Sequence, residues 1–179
     1  MTLKINYLDQ QKDLSKNMAL FLGKDAGISD FKGIFDDKIN QKILKFLKQN
    51  QKITKNKISS INLEFDQKLI IILLAIKTTS QEAEELGAKF YDYIKKSEII
   101  NDVYLMGTSF SSVKNKIQLN EFLHGSELKA YEFNIYKSKK NKKEIVFNVL
   151  KKKNVIDKKK KYKLDAILKG INFTRDLVS

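Results

Sequence analysis

Leu3, Ile5 and Tyr7 alternate with polar neighbours, which predicts a half-buried strand over 3–8. Met18 to Leu22 is a compact apolar run closed by Gly23 and predicts a second strand. Asp25 to Asp37 holds two glycines and four aspartates and reads as loop. Ile39, Ile43, Leu44 and Leu47 then recur at helical spacing, predicting a short amphipathic helix that ends near Asn50.

The period returns to two at Ile58 to Phe65, with Ile61, Leu63 and Phe65 on one face. Leu69 to Ile76 is apolar throughout, as expected of a central strand covered on both sides, and the pair can form a hairpin through Asp66 and Gln67. Thr79 and Glu82 have the spacing of a capping box, and Ala83, Leu86, Phe90 and Ile94 mark the buried stripe of the helix it starts. Lys95 and Lys96 suit the negative end of that helix. Asp102 to Met106 predicts a strand closed by Gly107, followed by a long helical segment from about Ser111 to Phe133, broken near His124-Gly125. Glu144 to Leu150 is the last strand, and Leu164 to Val178 a terminal helix with Leu164, Ile167, Leu168, Ile171 and Leu177 at helical spacing. Alternating strands and helices predict an α/β fold, a mixed or parallel sheet with helices on both faces. The expected division is a body over 1–150, a lysine-rich link over 151–163 and a helix over 164–179 that has no obvious partner and reads as a connector.

Composition changes this picture in two places. The net charge of +14 is concentrated, because Lys137 to Lys163 holds 13 lysines against Glu144 and Asp157, a net of +11. Only Arg175 is an arginine, so the guanidinium fork that reads base edges and phosphates is almost missing. The lysine tract therefore reads first as solvated surface. As a nucleic-acid or anion contact it would act through Lys151, Lys152, Lys153, Lys158, Lys159, Lys160 and Lys161. The absence of cysteine removes disulfides, thiolate metal sites and thiol nucleophiles. Proline is absent too, so Gly, Asn, Asp and Ser must make the turns. Met1 to Leu8 is polar and does not read as a signal peptide, and the longest apolar run falls far short of the ~20 residues that span a bilayer. The expectation is a cytoplasmic protein that does not enter the membrane.

Candidate chemistry is sparse. His124 is the single histidine, with no nucleophile or orienting carboxylate marked by spacing, and is expected at the surface or at a helix break. Asp36-Asp37 suits a turn and Glu84-Glu85 the positive end of a helix. No pair of His or Cys ligands exists for a metal. The turn Ala75-Ile76-Lys77-Thr78-Thr79 lacks the glycines of a phosphate cradle. The best loop for a phosphate is Tyr104 to Ser112, where Gly107 precedes Thr108, Ser109 and Ser111, although this is also ordinary strand-to-helix turn chemistry.

From Gly125 the sequence resembles a family. Gly125-x-x-Leu128-x-x-Tyr131-x-Phe133-x-x-Tyr136-Lys137 is similar to a stretch late in the N-terminal domain of leucyl (cytosol) aminopeptidases. Gly170-x-x-x-Thr174-Arg175-Asp176-Leu177-Val178 resembles that family's Gly-x-x-x-Ala-Arg-Asp-Leu-Val, at the helix entering the catalytic domain. Leu69 to Lys77 and Ala83 to Gly87 agree more loosely, with Ala75 and Ile76 where the family has a Gly-x-Gly-Lys turn. The resemblance implies a macro-domain-like N-terminal domain, truncated before a metallopeptidase domain. It implies a parent that removes N-terminal residues from peptides with two divalent metals, zinc or manganese, held by Lys, Asp and Glu. Segments like the family's Asn-Thr-Asp-Ala-Glu-Gly-Arg do not occur here, so the expectation is a chain with no catalytic, cofactor or metal residues of its own. The implied partners are its own catalytic domain and the sister subunits of a homo-hexamer, with an assembly and access-controlling role. Some relatives of the family also bind DNA, which keeps weak nucleic-acid binding by the lysine tract as the alternative. ADP-ribose recognition by a macro-type pocket is a third reading, against which the missing glycines stand.

Overall fold

A computed structural model of the chain describes residues 2–9, 17–23, 26–27, 33, 35–50, 55–63, 67–75, 78–97, 100–106, 118–131, 144–150 and 156–178. Six strands form one sheet: β1 (Thr2–Leu8), β2 (Asn17–Gly23), β3 (Lys57–Asn62), β4 (Lys68–Leu74), β5 (Asp102–Leu105) and β6 (Glu144–Leu150). Four helices accompany them: α1 (Asp37–Gln49), α2 (Ser80–Lys96), α3 (Leu119–Ala130) and α4 (Lys158–Leu177). The sheet order is β1-β6-β5-β2-β4-β3, and every neighbouring pair is parallel except β3 with β4. The protein is thus α/β with a mixed sheet.

The hydrophobic pattern explains which strands lie where. β4 reads Lys-Leu-Ile-Ile-Ile-Leu-Leu and buries every residue after Lys68, because α1 covers one face of the sheet and α2 with α3 the other. On the α1 side, Ile43 and Leu47 pack on Leu20, Leu69, Ile71 and Leu73. On the other, Leu86, Phe90 and Ile94 from α2 and Phe122 from α3 pack on Phe21, Ile70, Ile72 and Phe147. Phe122 is the pivot of that layer, with its ring edge-on to Phe21 at 5.1 Å and tilted to Phe90 at 5.4 Å.

Helix starts follow local chemistry. The Thr79–Glu82 capping box is formed in both directions, with the Thr79 N–H donating to Glu82 Oε2 at 2.7 Å and the Glu82 N–H to Thr79 Oγ1 at 3.2 Å. Asp36, the first of the paired aspartates, caps α1 by accepting from the Ile39 N–H at 2.8 Å. Two expectations are corrected. α3 runs unbroken through His124-Gly125, because Gly125 serves a helix crossing: a Cβ there would lie 1.9 Å from the Glu84 carbonyl oxygen. α4 begins at Lys158 rather than Leu164, since Asp157 caps it by accepting from the Lys160 N–H at 3.0 Å. Among the described residues no helix is long and apolar enough to cross a membrane.

Candidate functional site

The most concentrated polar chemistry lies where α4 rests on α3 and β1. α4 buries no residue, and its inner face, with Leu164, Leu168 and Ile171 half-buried, meets α3 largely through polar groups. Asn120 on α3 donates to the Asp157 carbonyl at 2.7 Å, so the first turn of α4 is tied down through its cap. The Lys160 ammonium reaches Gln118 Oε1 at 2.7 Å and forms an ion pair with Glu121, whose side chain is only 5% exposed. At the far end of α4, Arg175 donates to the Leu128 carbonyl at 3.2 Å and lies 5.3 Å from the centre of the Tyr131 ring. The Tyr131 hydroxyl completes that end by bonding Asp176. These anchors involve Tyr131, Arg175 and Asp176, three of the residues that carried the sequence resemblance.

Between the two ends is a small polar cleft with room for about one water molecule, lined by Tyr7, Asn120, His124, Glu127, Lys161 and Asp165. Lys161 donates to Asp165 at 2.7 Å and sits 5.7 Å from the Tyr7 ring centre. Burial, opposed by Lys161 and reinforced by Asp165, holds the Glu127 carboxyl above its usual pKa. Burial and the Glu127 and Asp165 carboxylates push the Tyr7 phenol well above its usual value. The single histidine is not at the surface: His124 is 3% exposed, and its Nδ1 finds no hydrogen-bond partner among the described residues. Asn120 Oδ1 is in the same position. Two orphaned acceptor or donor atoms on one cleft suit a bridging water, which needs two to four polar partners.

The lysines singled out by sequence divide into three groups. Lys151, Lys152 and Lys153 lie outside the described residues. Lys158 and Lys159 are exposed on the first turn of α4. Lys160 pairs with Glu121 of α3, and Lys161 pairs with Asp165 of its own helix beside the Tyr7 ring. The loop Gly107 to Ser112 lies outside the described residues, as do Ile76 and Lys77. Of the turn after β4, the Ala75 N–H donates to Asn56 Oδ1 at 2.7 Å. Glu84 contributes its backbone to the crossing with Gly125, and among the described residues no group of three His, Asp or Glu side chains is placed to hold a metal ion.

The outer face of α4 was not legible as a separate surface. Of the apolar positions assigned to one stripe, Leu164, Leu168 and Ile171 face inward, whereas Ile167 is 51% and Leu177 69% exposed. Tyr162 and Phe173, 78% and 64% exposed, share the outward side with Ala166 and Leu177. Their spacing, 162-166 and 173-177, is itself helical, and is the signal that distinguishes this second stripe. They are two apolar pairs turned to solvent on one helix face, with Lys169 and Gly170 between them.

No protein-family model matches the chain, and no curated protein matches it in sequence. Among solved structures it is similar to a mutant of tomato leucine aminopeptidase, with a TM-score of 0.60 and 14% identity. That match covers 99% of this chain and 38% of the tomato chain. At this identity the likeness is one of fold.

Proposed function

We propose that this chain is the non-catalytic N-terminal domain of a leucyl aminopeptidase, in which residues 1–150 form the body and α4 docks the body onto the catalytic half. The observation that carries the reading is α4 itself. It is held to α3 at both ends while Tyr162, Phe173 and Leu177 face outward, so it is a helix with a fixed seat and an apolar side that has no partner among the described residues. Support comes from the tomato enzyme likeness, which covers 99% of this chain and so takes in α4, and from the Gly170 to Val178 motif. The parent's work would be metal-dependent release of N-terminal residues from peptides, and this domain's share would be assembly and control of access. Assembly into a hexamer with sister subunits, in the cytoplasm, belongs to the same reading.

A photo-crosslinking residue in place of Phe173 tests the docking in the native host. The expected crosslinked partner is a peptide from a polypeptide bearing the metallopeptidase segment like Asn-Thr-Asp-Ala-Glu-Gly-Arg. Capture of an unrelated polypeptide overturns the reading. So does zinc- or manganese-dependent hydrolysis of a leucine chromogenic substrate by this chain alone.

The second reading, binding of nucleic acid, keeps Lys158 and Lys159, which the fold leaves exposed side by side on α4. Phosphate-only contacts should weaken by about 0.9 log units per phosphate for each tenfold rise in salt. Absence of binding to duplex DNA even at low salt eliminates it.

A further inference from the structure

β3 ends the sheet, so among the described residues one side of its backbone has no partner strand. An open edge of this kind is a template for another extended chain unless charge or cover blunts it. Beside it, α2 presents Leu86, Lys89, Tyr93 and Lys96, which recur at helical spacing along one of its faces. With Asn56, Lys57 and Ile58 they bound a groove enclosing about 840 Å³, part of it open solvent.

The groove has an apolar floor and a basic rim. Leu86 is 2% exposed, and Ile58 and Tyr93 are half-buried against the core. Lys89 and Lys96 are exposed at the rim. The acid lining the groove, Asp92, is paired with Lys129 at 3.2 Å, so its charge does not offset the rim. Lys57 touches the groove only at the strand edge, since its ammonium turns to the other face of the sheet and donates to Asn50 Oδ1 at the end of α1 at 3.1 Å.

We propose that this groove binds an extended acidic peptide segment, which adds as a strand to β3, sets an apolar side chain against Ile58, Leu86 and Tyr93, and directs its carboxylates to Lys89 and Lys96. Main-chain hydrogen bonds to an open edge give affinity in such strand addition, and alternate side chains give specificity. The apolar floor and the open strand edge favour a peptide over a nucleic acid, whose recognition would rest on phosphate and base contacts alone. A second copy of this chain is disfavoured as occupant by its net charge of +14. The groove lies on α2 and β3, apart from α4, and the proposal does not depend on the aminopeptidase reading.

The test is fluorescence anisotropy with the labelled peptide acetyl-Thr-Glu-Thr-Leu-Thr-Glu-Thr-amide, which places Glu, Leu and Glu on one side of a strand. Binding is expected to weaken about tenfold in the Lys89→Glu/Lys96→Glu double variant, since rim charges of opposite sign become repulsive. The charge-matched Lys45→Glu/Lys48→Glu variant on α1 should bind as the parent does. N-methylation of alternate peptide amides, in two complementary sets, should abolish binding for the set facing β3 and spare the other. The proposal is overturned by no binding at low salt, by equal losses in both double variants, or by full binding of both N-methylated sets. Thermal unfolding of each variant confirms that a loss of binding is not a loss of fold.

Discussion

α3 has two helical neighbours and treats them in opposite ways. Against α2 the contact is backbone to backbone. A Cβ on Gly87 would lie 1.8 Å from the Phe122 carbonyl oxygen, and one on Gly125 would lie 1.9 Å from that of Glu84. Ser126, fully buried, donates to the Gly87 carbonyl at 2.9 Å and thereby fastens the two helices where they approach most closely. Against α4 the contact is made by long charged and amide side chains at the two ends, and no residue of α4 is buried. Dry, close-packed interfaces transmit strain and tolerate little change, whereas polar, partly solvated ones open at low cost. α2 and α3 therefore belong to the body, while α4 is an attached element whose second side is uncovered among the described residues.

The largest expected effect comes from filling the tight crossing. Gly125→Ala would gain about 1 kcal/mol of helix propensity. The overlap with Glu84, which is backbone and cannot rotate away, costs roughly 3 kcal/mol or more. A net loss of at least about 2 kcal/mol should appear as a lower urea midpoint, with Gly87→Ala behaving alike. The control position is Gly170 on α4, where a Cβ meets nothing within 4 Å. Gly170→Ala should stabilise slightly, and equal damage at Gly125 and Gly170 would erase the contrast between the two interfaces.

Next in size is the pair Lys160–Glu121. Removing one partner of a wholly buried ion pair costs about 3–5 kcal/mol. Lys160 is 40% exposed, so the cost of Lys160→Ala should be nearer 2 kcal/mol, arising from a Glu121 carboxylate left buried without its cation. The double variant Glu121→Gln/Lys160→Ala should recover part of it. Hydrogen exchange should show the loss as opening of α4 while α2 keeps its protection. Uniform loss across both helices would mean that α4 is part of the body after all.

A pH profile sharpens the same point without disturbing the pair. The folded-state pKa of Glu127 is raised by burial, so the folded protein holds that proton more tightly than the unfolded chain. Its contribution is therefore fully present below the ordinary carboxylate value and is lost as pH rises through the raised one. Glu127→Gln should be more stable than the parent at neutral pH, and the advantage should disappear on acidification through the carboxylate range. An advantage that does not change with pH would assign the effect to packing rather than to ionisation.

Most of the body was legible because its elements keep one period over their whole length. β6 falls on Glu144 to Leu150 as its alternation predicts, and Ala83, Leu86, Phe90 and Ile94 form the buried stripe of α2. α3 was harder to read because it is buried nearly all round, from Leu119 to Ser126, including Asn120, Glu121 and His124. A helix enclosed by a sheet and two other helices has no solvent face to generate a period, so His124 reads as surface and Gly125 as a break. The start of α4 was hidden for a related reason. Its first turn is all lysine, and only the capping aspartate, Asp157, marked it.

The smallest effect is expected at the far anchor of α4, and it bears on why the resemblance residues are there. Tyr131→Phe removes the hydroxyl that bonds Asp176 and leaves the ring beneath Arg175. That bond is exposed to solvent, so global stability should barely change. Local protection of the last turn of α4 should fall further, because the Arg175 contact to the Leu128 carbonyl is then the main remaining tie. Arg175→Lys should do more local damage than Tyr131→Phe, since an ammonium loses the planar stacking on Tyr131 while retaining charge. If instead neither substitution changes exchange in the last turn, Tyr131, Arg175 and Asp176 do not hold α4 in this chain. Their spacing would then have to be explained by whatever packs on the outer side of that helix.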